Sequence, residues 1–236
     1  ATMPGTLDER IVIVDIDEKS LAELGRWPWG RNKLAALTDE LFEQQRVALL
    51  GFDVVFAEPD ESSGLKQLTT LAQHELRDVP GFAEKLAALR ATLDYDGMFA
   101  SALSKHPVVM GYYVTSDREG RTSGVLPRPV MAPNALQGRS PVFTSFNGYG
   151  SNIEPLARAA PVAGFFNTIA EADGVVRAIP LIAEVTGQFH ESLSLAMFRM
   201  LAGSPTVTAE FSRERYISRE AHGLENILLG RGDRVH

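Results

Sequence analysis

The apolar residues of this chain come partly in short unbroken runs and partly in stripes of helical spacing. Residues 11–16, "IVIVDI", are an apolar run broken only by Asp15. The run is too short for a helix and rich in Ile and Val, which suits a strand buried on both faces, as in a parallel sheet. Asp17 closes it, and "EKSLAEL" predicts one or two helical turns that Gly25 stops. In "RNKLAALTDELFEQQR", Leu34, Leu37, Leu41 and Phe42 recur at spacings of three and four, with Thr38 at the margin of the stripe; this is an amphipathic helix. A second buried strand is predicted over 48–56. Strand, helix, strand with short connections is a βαβ unit, so these two strands are expected to lie parallel with a right-handed crossover.

Farther on, "AEPDESSG" reads as a polar loop, residues 65–104 as largely helical, and "PVVMGYYVT" at 107–115 as a third strand followed by the turn "DREGRTSG". Residues 127–160 hold five prolines and show no periodicity, the mark of a long functional or mobile loop. "VAGFFNTI" and "VVRAIPLIAEV" flank "EADG", which predicts a hairpin turning at Asp173-Gly174. "ESLSLAMFRMLAG" is a helix with Leu193, Met197 and either Met200 or Leu201 inward, and the tail after Ser204 reads as short strands and turns. The expected fold class is α/β: a mixed sheet with a parallel βαβ core, flanking helices and a later antiparallel hairpin. One domain is expected over residues 7–236, excised from a longer protein and truncated at its C-terminus, because both "ATMPGTLDER" and "ILLGRGDRVH" read as cut edges.

Composition narrows the function. The chain has 236 residues, 44% hydrophobic, with net charge −7, which argues against nucleic acid as a partner. Cysteine is absent, excluding disulfides, thiol catalysis and thiolate metal sites. The most apolar run, "VALLGFDVVFA", is too short to span a bilayer and carries Asp53. The histidines at 74, 106, 190, 222 and 236 have no ligand spacing, so a zinc site is not expected.

The candidate chemistry clusters early. If the first two strands are parallel neighbours, Asp15, Asp17 and Asp53 converge at their C-terminal edge, with Glu58 and Asp60 nearby. That edge is where open α/β sheets bind ligands, and clustered carboxylates suit Mg²⁺ or Ca²⁺. The alternative is structural: Arg26 and Arg31 neutralise the acids in bidentate pairs, and Arg26→Ala then costs a few kcal/mol if those acids are buried. "GRWPWGR" offers Trp27 and Trp29 either as a stacking platform for a ligand or as indoles that pin the loop, burial being expected for at least one of them. Arg177, beyond the Asp-Gly turn, could meet an anion or make an edge-strand salt bridge. The nominated ligand-binding residues are therefore Asp15, Asp17, Arg26, Trp27, Trp29 and Asp53, with no catalytic residue and no cofactor. An apolar strand ending in Asp-x-Asp also resembles the start of haloacid-dehalogenase-like phosphatases, Asp15 as nucleophile and Asp17 as acid/base, although Lys19 departs from that family's pattern.

Taken in order, "IVIVDIDEKSLAELGRWPWGR", "LTDELFEQQRVALLGFDVVFAEPD", "GFFN…DGVVRAIPL" and "ESLSLAM" resemble the second class of CHASE domains, the cyclase/histidine-kinase-associated sensory extracellular domains. The resemblance implies a periplasmic or extracellular sensor on a bacterial inner-membrane protein. Its partners would be its own membrane helices, a cytoplasmic adenylate or guanylate cyclase or a kinase, and an unidentified small-molecule ligand. A homodimer, or a purely structural dimerisation module, is the other expectation. With membrane helices flanking the domain, the first strand would carry the chain away from the bilayer. Leu7 would then leave on the side opposite Asp53.

Overall fold

The computed structural model describes residues 8–136, 138–139, 141, 143–167, 179–210, 226–229 and 233–234. Its central sheet grows from β2 (Val108–Thr115), whose eight residues include Val109, Met110 and Tyr112, all fully buried. β1 (Leu50–Phe52) pairs with it in parallel, Leu50 opposite Val108, and β6 (Ala163–Phe165) also pairs in parallel, Met110 opposite Ala163. Farther along β2, β5 (Gly148–Gly150) adds antiparallel, and β3 (Thr122–Ser123) joins β5. β4 (Ser145–Phe146), β7 (Ile182–Val185) and β8 (Gln188–Glu191) form a second small sheet. β9 (Val207–Glu210), β10 (Asn226–Leu229) and β11 (Asp233–Arg234) form a third, which gives Leu228 and Leu229 partners on both sides.

The fold class is the expected α/β with a mixed sheet, but its parallel core is built from other strands. Residues 11–17 carry no strand pairing, and Ile11, Val12, Ile13 and Val14 are exposed, Ile13 by 89%. The predicted pairing of 11–16 with the second strand is therefore corrected. An apolar β-branched run encodes an extended backbone, not the edge on which that backbone lies. Here Asp17 is committed as the N-cap of α1 (Glu18–Leu24), and from this stretch only Ile16 and Leu21 reach the core. Leu7, on which the membrane geometry was to be read, lies outside the described residues.

The helices follow their apolar spacing closely. α2 (Arg31–Glu43) buries Leu34, Ala35 and Thr38. Thr38 sits at the centre of the buried face rather than its margin, because its hydroxyl donates to Leu34 O at 2.8 Å and needs no water. α3 (Leu65–Gln73) and α4 (Phe82–Leu93) have no buried residue, whereas α5 (Tyr95–Lys105) buries Phe99, Ala102 and Leu103. α6 (Glu154–Ala159) lies inside the stretch read as a loop; with only six residues it is too short to show a period. α7 (Leu193–Leu201) buries Leu195 and Ala196 and leaves Leu201 exposed by 65%.

α2, α5 and α6 pack on the sheet face that presents Val108, Met110, Tyr112 and Phe165. Strand alternation turns Gly51, Val109, Gly111 and Gly164 to the other face, and α7 lies there. A Cβ on Gly51 would strike the Met197 side chain, and one on Gly164 would strike the backbone of Ser192 and Leu193. Two asparagines replace missing strand neighbours. Asn152 accepts from Phe56 N at 2.8 Å and donates to Gly111 O at 2.9 Å, and Asn167 does the same for Val114 N and O.

The antiparallel hairpin is β7–β8, turning at Thr186 and Gly187, both with positive φ. Within the predicted first arm, Ala163–Phe165 pairs with β2. Asp173, Gly174 and Arg177 lie outside the described residues. Thr-Gly is a weak turn signal because a β-branched residue pays for the left-handed conformation, which is why the sequence did not place the turn there.

In β8, His190 is 1% exposed and neither ring nitrogen has a hydrogen-bond partner among the described residues; burial pushes its pKa down to about 4. A depressed histidine favours the folded state above the unfolded pKa, and that contribution is lost as pH falls from about 6.5 toward 4. Stability should therefore drop by up to about 3 kcal/mol over that window. Urea unfolding of wild type and His190→Gln at several pH values checks this: the variant should show the shallower decline, and equal slopes would mean that His190 is not the group responsible. Neighbouring Glu191, raised by burial against the opposing pull of Arg199 at 2.5 Å, works in the opposite sense and is common to both proteins.

Candidate functional site

α2 begins without a capping side chain, because Gly30 precedes it. The cap comes instead from a loop 29 residues downstream: Arg31 N donates to Asp60 Oδ2 at 2.6 Å. Gly30 allows that approach, since a Cβ there would meet the Asn32 and Ser62 side chains. Asp60 also accepts from Ser62 N at 2.8 Å, and its own N–H donates to Asp96 Oδ2 at 2.9 Å, in the first turn of α5. The loop is thus stitched between the N-terminal turns of two helices.

The Arg31 side chain fills the space these acids leave. It is 9% exposed, its guanidinium lies 4.4 Å from the centroid of the Phe56 ring, and an Nη donates to Glu58 O at 3.4 Å. Arg31 Nε and Asp96 Oδ1 are 3.7 Å apart, beyond hydrogen-bond reach, and each is otherwise without a partner. Burial lowers the Arg31 pKa against the raising pull of Asp96 and Asp60. Burial also raises that of Asp96, outweighing the hydrogen bond from Asp60 N and the charge of Arg31. For Asp60 burial is again the largest influence, upward. The hydrogen bonds from Ser62 and Arg31 N, with the charge of Arg31, outweigh it and hold the carboxyl low. One cation facing two carboxylates leaves an acidic surplus.

That surplus borders an open pocket of about 400 Å³ at the loop, α3, α4 and the start of α5, lined by Asp60, Lys66, Thr69, Arg90, Tyr95 and Asp96, among others. The volume suits a small metabolite, and the lining mixes both signs of charge.

The residues nominated from the sequence do not gather there. Asp15 and Asp53 are exposed. Asp17 accepts from Ser20 N at 2.8 Å and Ser20 Oγ at 2.7 Å, and these bonds lower its pKa. Arg26 is exposed and makes no ion pair among the described residues. The second arginine of the bracing argument, Arg31, is the one engaged. Trp29 is 7% exposed and donates to Gly25 O at 2.7 Å, while Trp27 is 38% exposed and packs edge-on against it with centroids 5.9 Å apart. The Trp27–Pro28 peptide is cis. Asp15 and Asp17 do not end a strand of the sheet, so the nucleophile geometry of a haloacid-dehalogenase-like enzyme is not formed. Asp96, Lys66 and Arg90 were missed because nothing in the local pattern of an amphipathic helix separates a solvated charge from one aimed at a distant loop.

The charged pocket thus lies beside the N-terminal turns of two helices. The chain belongs to the CHASE2 family, whose family model (CHASE2 domain) matches residues 2–230. This is a family of extracellular sensory domains, sensory rather than catalytic, found in transmembrane signalling proteins. No curated protein and no solved structure matches the chain. Among the described residues no helix is long and apolar enough to cross a membrane.

Proposed function

We propose that this chain is the periplasmic signal-input domain of a bacterial inner-membrane receptor, a single domain tethered by its own transmembrane helices and controlling a cytoplasmic cyclase or kinase. The observation that carries the ligand-sensing part is the open pocket beside Asp60 and Asp96, walled in part by α3 and α4, helices with no buried residue. Elements with few buried contacts open at low cost, so a ligand that bridges α3–α4 to α5 can favour one arrangement over another. The mixed lining suits a small zwitterion, its cationic group toward Asp96 and its anionic group toward Lys66 and Arg90. Exposed Asp15, Arg26, Trp27 and Asp53 are proposed as a separate contact surface, with Asp17 and Trp29 holding its shape. Pairing of two domains would use Ile11–Val14, an unpaired extended run of the kind that recruits another strand.

The test is thermal unfolding of the domain across free amino acids and related zwitterions, with the output activity of the full-length receptor measured alongside. A ligand at 100 times its Kd should stabilise the domain by about 2.7 kcal/mol. Thr69→Trp, which fills the cavity from a half-buried position, should abolish the shift and the change in output. If Thr69→Trp responds as wild type does, the cavity is not the sensing site.

A further inference from the structure

The α2–α5 helix pair has a second cluster of chemistry at its other end. Arg31 and Asp96 meet at the N-terminal turns of the two helices, and Asp39 and His106 meet at their C-terminal ends, so the helices run parallel. Asp39 and Glu43 are four residues apart on α2 and share a face. His106 is the C-cap of α5 and turns back onto that face. Its Nε2 lies 3.0 Å from Asp39 Oδ1, and its ring stacks on Phe42 with centroids 4.3 Å apart and planes 4° from parallel. One ligand atom from each of Asp39, Glu43 and His106 falls within 4.8 Å of the others.

We propose that Asp39, Glu43 and His106 form a binding site for a first-row divalent cation, with Zn²⁺ as the preferred ion. Two carboxylates and one imidazole select for this class; Mg²⁺ and Ca²⁺ favour all-oxygen sites. Ligand atoms held at about 2.0–2.2 Å from one ion lie about 3–4 Å apart. Closure therefore requires roughly an ångström of movement, which the exposed Glu43 side chain supplies. The imidazole is already fixed by the Phe42 stack, so its ordering cost is small. Two negative charges match the ion. Lys105, 3.6 Å from Asp39 Oδ2, competes for the same carboxylate and would swing to solvent, where over half of it already is. The metal would join α2 to the start of β2 at the end of the helix pair opposite the cavity. The spacing rule applied to the histidines alone could not find this site, because Asp39, one of its carboxylates, lies 67 residues from its imidazole.

Isothermal titration with ZnCl₂ of the chelator-treated chain tests this, with circular dichroism and chelator-state melting of every variant as the folding control. The expected result is one saturable site per chain. His106→Ala should weaken it by about 100-fold and Glu43→Ala by about 10-fold, while His74→Ala, at an exposed histidine away from the cluster, should leave it unchanged. Glu43 is exposed, so its variant stays folded and decides the matter even if His106→Ala does not. No saturable binding, or binding indifferent to Glu43→Ala and His106→Ala, overturns the proposal and assigns any Zn²⁺ uptake to other side chains.

Discussion

Arg31→Ala should destabilise the domain by about 2–4 kcal/mol in urea unfolding, because it removes a buried side chain from the Phe56 ring and leaves the partly buried Asp96 and Asp60 without their cation. Arg26→Ala should cost less than about 1 kcal/mol, the scale of an exposed charge. The contrast locates the brace. Arg31→Lys should fall between the two: an ammonium restores the charge but not the flat group that lies on Phe56 and reaches Glu58 O. Raising the pH cannot stand in for the mutation, since guanidinium stays charged throughout the accessible range. A loss for Arg31→Ala no larger than that for Arg26→Ala would mean that the cluster is hydrated and that the 3.7 Å gap to Asp96 carries no energy.

Phe56→Ala should cost a comparable 3–5 kcal/mol. Phe56 is 2% exposed and meets Phe52 and Phe99 edge-to-face at centroid distances of 5.8 and 5.3 Å. It therefore ties the core to the charged cluster above it. Phe56→Leu should recover much of the loss by refilling the volume, yet leave the guanidinium without a ring. A double-mutant cycle of Phe56→Leu with Arg31→Met isolates that contact, and a coupling of about 0.5–2 kcal/mol is expected. Zero coupling would reduce the arrangement to simple packing.

Several features were legible in the chain because they are local. Apolar residues at spacings of three and four set α2, a run rich in β-branched and aromatic residues set β2, Asp17 and Gly25 bound α1, and the order of the quoted blocks carried the family. Each depends on a few neighbouring residues, and tertiary contacts reinforce them. Burial of at least one of Trp27 and Trp29 was legible the same way, since two indoles in a short loop rarely both stay in water; which one it is, the sequence left open.

What the sequence by itself determined is therefore the kind of its most regular elements and the α/β class, while the role of its arginines stayed open between brace and ligand site. Only the tertiary structure decided the partners. It left residues 11–16 out of the sheet, set β6 beside β2, and paired Arg31 rather than Arg26 with acids 29 and 65 residues away. Asp15, Asp17 and Asp53 share the charge of Asp60 and Asp96 but not their surroundings. A carboxylate's role is set by how much water it loses and which cation replaces that water, and both depend on which distant segments pack together.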